Sequence, residues 1–294
     1  MERTDQVLDG KYRIVRLLGE GGMGAVYEAR HVVIDRRCAV KFLRSELAMD
    51  AEVVARFVQE ARAASAVGHP GIIDIYDVGH APDGSVFLVM ELLDGSSVGE
   101  LLRKTPRLPV LQAVEIAVQA LAALAVVHRH GIVHRDLKPD NLFLARGPGA
   151  HPRVKLLDFG ISRVRLAGGG SQDGMTRLGS VLGTPAYMAP EQAEGALDVD
   201  SRLDLYAMGV ILFQCVTGRL PFEGQNANQV LASILRQPFP SPTTHDPTLH
   251  PAVERVILKA TARERTARYP SASAMIADLA GLLPADVLAR LDLP

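Results

Sequence analysis

Asp136, Lys138 and Asn141 lie close together in the run His134 to Asn141 (HRDLKPDN), and Asp158 opens a second short motif, DFG, further along the chain. A carboxylate that can accept a hydroxyl proton, an ammonium that can offset developing negative charge and two oxygen donors suited to a hard cation are what phosphoryl transfer requires. Asp136 is the candidate proton acceptor and Lys138 the cation beside the transferring group. Asn141 and Asp158 are the candidate ligands for Mg²⁺, with Mn²⁺ as an alternative. Taken singly, each residue has a plainer role: Asp136 and Asp140 as turn formers, Asn141 as a cap, Asp158 and Gly160 as a loop after a strand over Val154 to Leu157. All of them at these spacings are hard to credit to turns.

Such groups need elements to hold them, and the patterning divides the chain. Tyr12 to Leu18, Ala25 to Arg30, Arg37 to Leu43, Ile72 to Val78 and Val86 to Met90 are short β-branched or aromatic runs separated by turn residues, which predicts five antiparallel strands. Between the third and fourth, Ala51 to Ala66 has helical spacing and ends at Gly68, His69 and Pro70. After Asp94 helices dominate: Leu111 to His130, Leu203 to Thr217, Ala227 to Leu235, Ala252 to Ala262 and Ala272 to Leu283. The fold class is therefore α+β, a small five-stranded lobe with one helix joined near Met90 to Asp94 to a larger helical lobe. A cleft between such lobes is the usual place for a small-molecule site.

Composition bounds the partners. Thirty-two Lys and Arg against 33 Asp and Glu leave a formal charge of -1, so no bulk basic field recruits nucleic acid or anionic lipid. Cys38 and Cys215 sit in apolar surroundings and read as buried thiols of a reducing compartment. The N-terminus lacks an apolar signal-like stretch, and the most apolar run, Leu205 to Val216, is shorter than the about 20 residues that cross a bilayer. These features predict a cytoplasmic chain without membrane contact of its own, which leaves open its being the cytosolic part of a longer, membrane-anchored protein.

The remaining motifs fall where a cleft would place them. Leu18, Gly19, Glu20, Gly21, Gly22, Met23 and Gly24, with Val26 beyond, join the first two strands, and glycines there let backbone N–H groups approach phosphate oxygens. Alone this is equally a glycine-rich hairpin turn. A dinucleotide fold is disfavoured because a strand follows, and a Walker-type loop is absent. Lys41, on the third strand in CAVKFL, is either a solvated edge residue or a phosphate-binding cation. Glu60 on the following helix is the acidic partner that would hold it in place.

With these motifs in order, GEGGMGAV, CAVK, Glu60, HRDLKPDN, DFG, GTPAYMAPE and DLYAMG, the chain resembles a protein kinase of the eukaryotic-like (Hanks-type) serine/threonine type in its bacterial form, over roughly Tyr12 to Leu283. Lys138 resembles the serine/threonine branch and not the tyrosine branch. The resemblance implies ATP as cofactor, proteins bearing Ser or Thr hydroxyls as substrates, and one catalytic domain. Its parts would be an N-terminal extension (1–11), small lobe and hinge (12–93), large lobe (94–283) and C-terminal tail (284–294). It implies that Ala39, Val26 and Phe143 sandwich the adenine, that Met90 is the gatekeeper and that backbone at Glu91 and Leu93 bonds the base. Asp204 would tie down the catalytic-loop backbone and Glu191 would pair with Arg268.

The same resemblance places Arg56, Arg135 and Arg163 around a loop phosphate, with Thr176 and Ser180 as the hydroxyls to carry it and Thr184 in the substrate platform. Three arginines without a fixed anion repel one another, and a phosphoryl group could make about 1 to 3 charge-assisted bonds to them. Autophosphorylation in trans through a transient dimer, swinging Glu60 toward Lys41, is the regulatory expectation; constitutive activity is the alternative. Ala64 stands where a larger residue often completes a stacked column of Tyr76, Phe159 and His134, Tyr206 stands where Trp is common, and Glu264 with Arg265 replaces a commoner Asp and Pro. A binding module that has lost transfer is the contrasting class, opposed by the retention of Lys41, Asp136, Asn141 and Asp158. A small-molecule kinase is opposed by Thr184 to Glu191.

Overall fold

The β-branched and aromatic runs of the first ninety-odd residues pair into one antiparallel sheet. A computed structural model of the chain describes residues 3–22, 24–147, 151–158, 185–291 and 293. These residues form two units, the first comprising those up to Gly68 with Ile72–Asp94, the second His69–Gly71 with those from Gly95 onward. In the first unit the strands are β1 (Val7–Leu8), β2 (Tyr12–Glu20), β3 (Gly24–His31), β4 (Arg37–Leu43), β5 (Ile75–His80) and β6 (Val86–Glu91), in the order β1-β2-β3-β4-β6-β5.

Two features depart from the expected five strands and one helix. The segment expected to be a mere extension supplies β1, and Leu8 is fully buried in a cluster with Tyr12, Ile14, Phe42 and Phe87. Arg3 bonds Asp83 at 2.8 Å and lays its guanidinium over the Phe42 ring, so residues 3–11 pack as part of the lobe. A short helix, α1 (Ser45–Ala48), also precedes α2 (Ala51–Val67). Asp50 caps α2 by accepting the N–H groups of Glu52 and Val53, and Phe57 and Ala61 pack with Leu43, Val86 and Leu88. The fifth strand starts at Ile75 rather than Ile72: Ile72 forms only an isolated bridge, and it and Ile73 are buried outside the ladder.

The second unit contains a small antiparallel sheet, β7 (Gly95–Ser97), β8 (Leu142–Ala145) and β9 (Arg153–Leu156), and the helices α3 (Val98–Lys104) and α4 (Val110–Arg129). Further on come α5 (Pro190–Ala193), α6 (Arg202–Thr217), α7 (Ala227–Arg236), α8 (Pro251–Ala260), α9 (Ala272–Ala280) and α10 (Ala285–Leu288). The five long helices expected from periodicity are all present within a few residues of their predicted bounds, whereas α3 went unforeseen. α6 is buried from Leu203 to Val216 except at Gln214, as befits a helix apolar on nearly every side, and it packs on α4 and α8.

α4, and not the Leu205 to Val216 run, is the stretch long and apolar enough to cross a membrane by length and composition, yet 67% of that window is buried inside the protein. Its apolar faces are those of a core helix. The expected tail is attached too, since Arg290 reaches Glu115 of α4 at 3.5 Å.

Candidate active site

A 3-10 turn over Pro139–Asn141, leading straight into β8, folds the catalytic run back on itself. Lys138 Nζ donates to Asp136 Oδ2 at 3.1 Å, and Asn141 Nδ2 donates to the Asp136 carbonyl at 2.8 Å and to Oδ2 at 3.3 Å. Both residues expected to flank the base therefore converge on its carboxylate. Because the Asn141 amide nitrogen is committed to Asp136, its oxygen is the face left to meet a hard cation.

The peptide of Leu157 carries Asp158 to this centre. Its N–H donates to the Asn141 carbonyl at 2.9 Å, and its carbonyl accepts from His134 Nε2 at 2.9 Å. A carbonyl can only accept, so His134 carries its proton on Nε2, which leaves Nδ1 to receive the Asp136 N–H at 3.4 Å. The imidazole is fully buried. Asp158 itself has φ 44°, a left-handed conformation that costs a non-glycine residue roughly 1–3 kcal/mol. Among the described residues there is no group of three or more His, Cys, Asp or Glu that could hold a metal, and Asn141 and Asp158 remain the candidate pair. Mg²⁺ suits such a pair because it is commonly bound by one or two carboxylates together with substrate phosphates.

Beneath the loop lies a fully buried carboxylate, Asp204, at the start of α6. It accepts the backbone N–H groups of His134 and Arg135, both at 2.9 Å, and His128 Nε2 at 2.8 Å. The backbone role expected for Asp204 is thus met. His128, from the last turn of α4, was not foreseen; its place six residues before His134 was the available signal. Arg135 has φ 65°, and its carbonyl accepts Gln192 Nε2 at 3.1 Å, another contact the sequence reading missed. Glu191 and Arg268 pair in two-pronged fashion at 2.7 and 2.8 Å, both buried, as expected. Asp140 is held by Arg103 of α3 at 3.0 Å, with both side chains more than half exposed.

In the first unit, Lys41 is buried on β4 between Val26 of β3 and Leu88 of β6, and Ala39 is buried opposite Met90. The expectation of a solvated edge lysine is excluded by that burial. The β2 to β3 turn closes with Gly21 and Gly24 exchanging N–H to carbonyl bonds at 2.8 and 3.3 Å. Its glycines serve different ends. A Cβ at Gly24 would fall 1.7 Å from the Phe42 carbonyl oxygen, so sheet packing demands glycine there. At Gly19, Gly21 and Gly22 a Cβ would meet nothing within 4 Å, so no packing among the described residues accounts for them.

Glu60 lies partly buried on α2, and Arg56, one turn earlier, pairs with Glu52 at 2.9 Å. Tyr76 belongs to the first unit, where Arg36 covers its ring at 4.1 Å from the centroid. The backbone N–H of Glu91 donates to Asp74, and Phe143 lies on β8 opposite Ser97. Met23, Phe159, Arg163, Thr176, Ser180 and Thr184 lie outside the described residues.

Residues 12–280 match the model of the protein kinase domain family. The chain belongs to that family. Its kinase domain is 42% identical over 95% of the chain to the serine/threonine-protein kinase pkn3 of Myxococcus xanthus and 47% identical over 90% of the chain to Pkn1 of the same organism. It is 38% identical over 96% of the chain to PrkC of Bacillus subtilis. In three dimensions the kinase domain of PknI from Mycobacterium tuberculosis is similar, with a TM-score of 0.73 and 27% identity over 96% of this chain and 99% of that one. The kinase domain described here is thus of the bacterial Hanks type. The matches span 51%, 37% and 42% of pkn3, Pkn1 and PrkC, about half the length of these relatives or less.

Proposed function

We propose that this chain transfers the γ-phosphoryl group of ATP to serine or threonine hydroxyls of proteins. The observation that carries the proposal is the convergence of Lys138 and Asn141 on the Asp136 carboxylate, with Asp158 brought in through the doubly tied Leu157 peptide. Bound ATP and its divalent cation supply the electrophilic phosphorus, the leaving group and part of the charge compensation. Asp136 orients the acceptor hydroxyl and takes its proton, and Lys138 offsets charge on the transferring oxygens. Asn141 and Asp158 hold the cation through oxygen. Lys41 binds the nucleotide's phosphates with Glu60 as its counter-charge. The open space over Gly19, Gly21 and Gly22 suits backbone approach to phosphate, and Leu18, Val26, Ala39, Met90, Glu91, Leu93 and Phe143 receive the base.

Regulation rests on the loop hydroxyls. Phosphorylation of Thr176, Ser180 or both, by a second copy in a transient dimer, provides the anion for Arg56, Arg135 and Arg163; at Arg56 that anion competes with Glu52. The setting is the cytoplasm, where both free, buried thiols stay reduced.

Purified chain incubated with ATP, Mg²⁺ and a mixed Ser, Thr and Tyr peptide library tests the reaction. Phosphate on Ser and Thr peptides, absent with Asp136→Asn, is the expected result, and modification confined to Tyr peptides would refute it. For the regulatory part, the Thr176→Ala/Ser180→Ala protein should turn over more slowly than the phosphorylated wild type. Equal rates would sink that part alone.

A further inference from the structure

The face of the first unit's sheet that carries Val26, Ala39 and Lys41 bears, at the opposite end of these strands, a row of like charges. Arg13 of β2 is the Cα partner of Arg30 of β3, which is in turn the partner of Arg37 of β4. Directly opposed residues share a face, and neighbouring strands lie about 4.8 Å apart, so three guanidinium stems line up across roughly 10 Å. Like charges directly opposite one another destabilise a sheet. The other face of the same strands holds the core residues Tyr12, Ala29 and Cys38, which turns the arginines to the face of Val26, Ala39 and Lys41, where all three are exposed.

Compensation on this surface is incomplete. Glu28 is shared between Arg16 and Arg37, at 2.9 Å from each, so one carboxylate serves two cations. Asp35 engages only Nη1 of Arg30, at 2.8 and 2.9 Å, which leaves the rest of that fork for another acceptor. Arg13 is exposed and has no recorded partner among the described residues.

We propose that this arginine row is a docking surface for an acidic stretch of polypeptide. An extended peptide presents alternate side chains about 7 Å apart, and successive carboxylates along it can reach the open guanidinium donors. A duplex fits less well: complexes that neutralise about 6–10 phosphates need a longer basic field, and this chain has a net charge of -1. The site lies apart from Asp136 in the sequence and its occupancy is read by binding, so its failure would leave the phosphoryl-transfer proposal untouched.

Fluorescence anisotropy of a short labelled glutamate-rich peptide, with the full chain at low and physiological salt, tests the proposal. Wild type should bind it, ignore the glutamine counterpart and lose affinity as salt rises. Arg13→Ser/Arg30→Ser should weaken binding about tenfold with an unchanged melting temperature, whereas Arg219→Ser/Arg236→Ser, on the other unit, should not change it. Equal binding by the row variant, no binding by wild type, or tighter binding of a DNA duplex than of the peptide would each overturn the proposal.

Discussion

The backbone N–H of Arg135 donates to the buried Asp204 carboxylate at 2.9 Å, and Arg135 adopts a left-handed φ of 65°. A non-glycine residue in that conformation costs about 1–2 kcal/mol, so the strain next to the catalytic aspartate persists only while its surroundings hold it. Asp204 grips the nitrogen side of Arg135 and Gln192 grips its carbonyl. Asp204→Asn substitutes donors for one acceptor position and breaks this grip. We expect a loss of about 3 kcal/mol in urea unfolding, from backbone N–H groups left without partners. Transfer activity should fall more steeply than stability under conditions where the variant is still folded.

Glu191 and Arg268 form a buried pair, so removing one partner strands a charge. Glu191→Gln should cost about 3–5 kcal/mol, whereas Glu191→Leu combined with Arg268→Met should cost less than either single change. A double-mutant cycle by denaturant unfolding measures the difference. Additive losses would show that the pair is not coupled.

Burial alone would raise the Glu28 carboxyl, but bonds and charge from Arg37 and then Arg16 outweigh it and hold the group below its ordinary 4.5. A depressed carboxyl contributes stability that is fully present above 4.5 and is lost as pH falls through its folded value. Glu28→Gln should therefore be less stable than wild type at neutral pH, by about 1 kcal/mol because both arginines are solvent-screened. The gap should close on acidification. Thermal unfolding across pH follows it, and a gap that widened in acid would contradict the assignment.

Burial also raises both thiols, Cys38 to about 11 and Cys215 to about 12. Neither forms thiolate near pH 8, so iodoacetamide should label them only after denaturation. Labelling of native protein at the unfolded rate would place them at the surface.

The candidate catalytic residues could be picked out because phosphoryl transfer constrains both types and spacing, and Asp136, Lys138 and Asn141 do meet in one turn. The long helices were legible from period, and Asp204 with the Glu191 and Arg268 pair from resemblance. What escaped lacked a local signature. β1 is two residues long, α3 only seven, β7 three and β8 four, too short for alternation to register, whereas β9 lies within a residue of the strand expected over Val154 to Leu157. His128 and Gln192 matter through tertiary contacts with Asp204 and the Arg135 carbonyl, for which the sequence offered at most the nearness of His128 to His134. Reading Leu205 to Val216 as the most apolar run passes over α4, whose membrane-length apolar surface serves the core.

The central claim is that Asp136 is the proton acceptor of an ATP-dependent phosphoryl transfer to Ser or Thr. Single-turnover transfer from γ-labelled ATP, with wild type and Asp136→Asn at matched folding and matched ATP binding, addresses it most directly. The account predicts labelled phosphoserine or phosphothreonine from wild type and a rate at least about a hundredfold lower from the variant. Equal rates from the two proteins would contradict it.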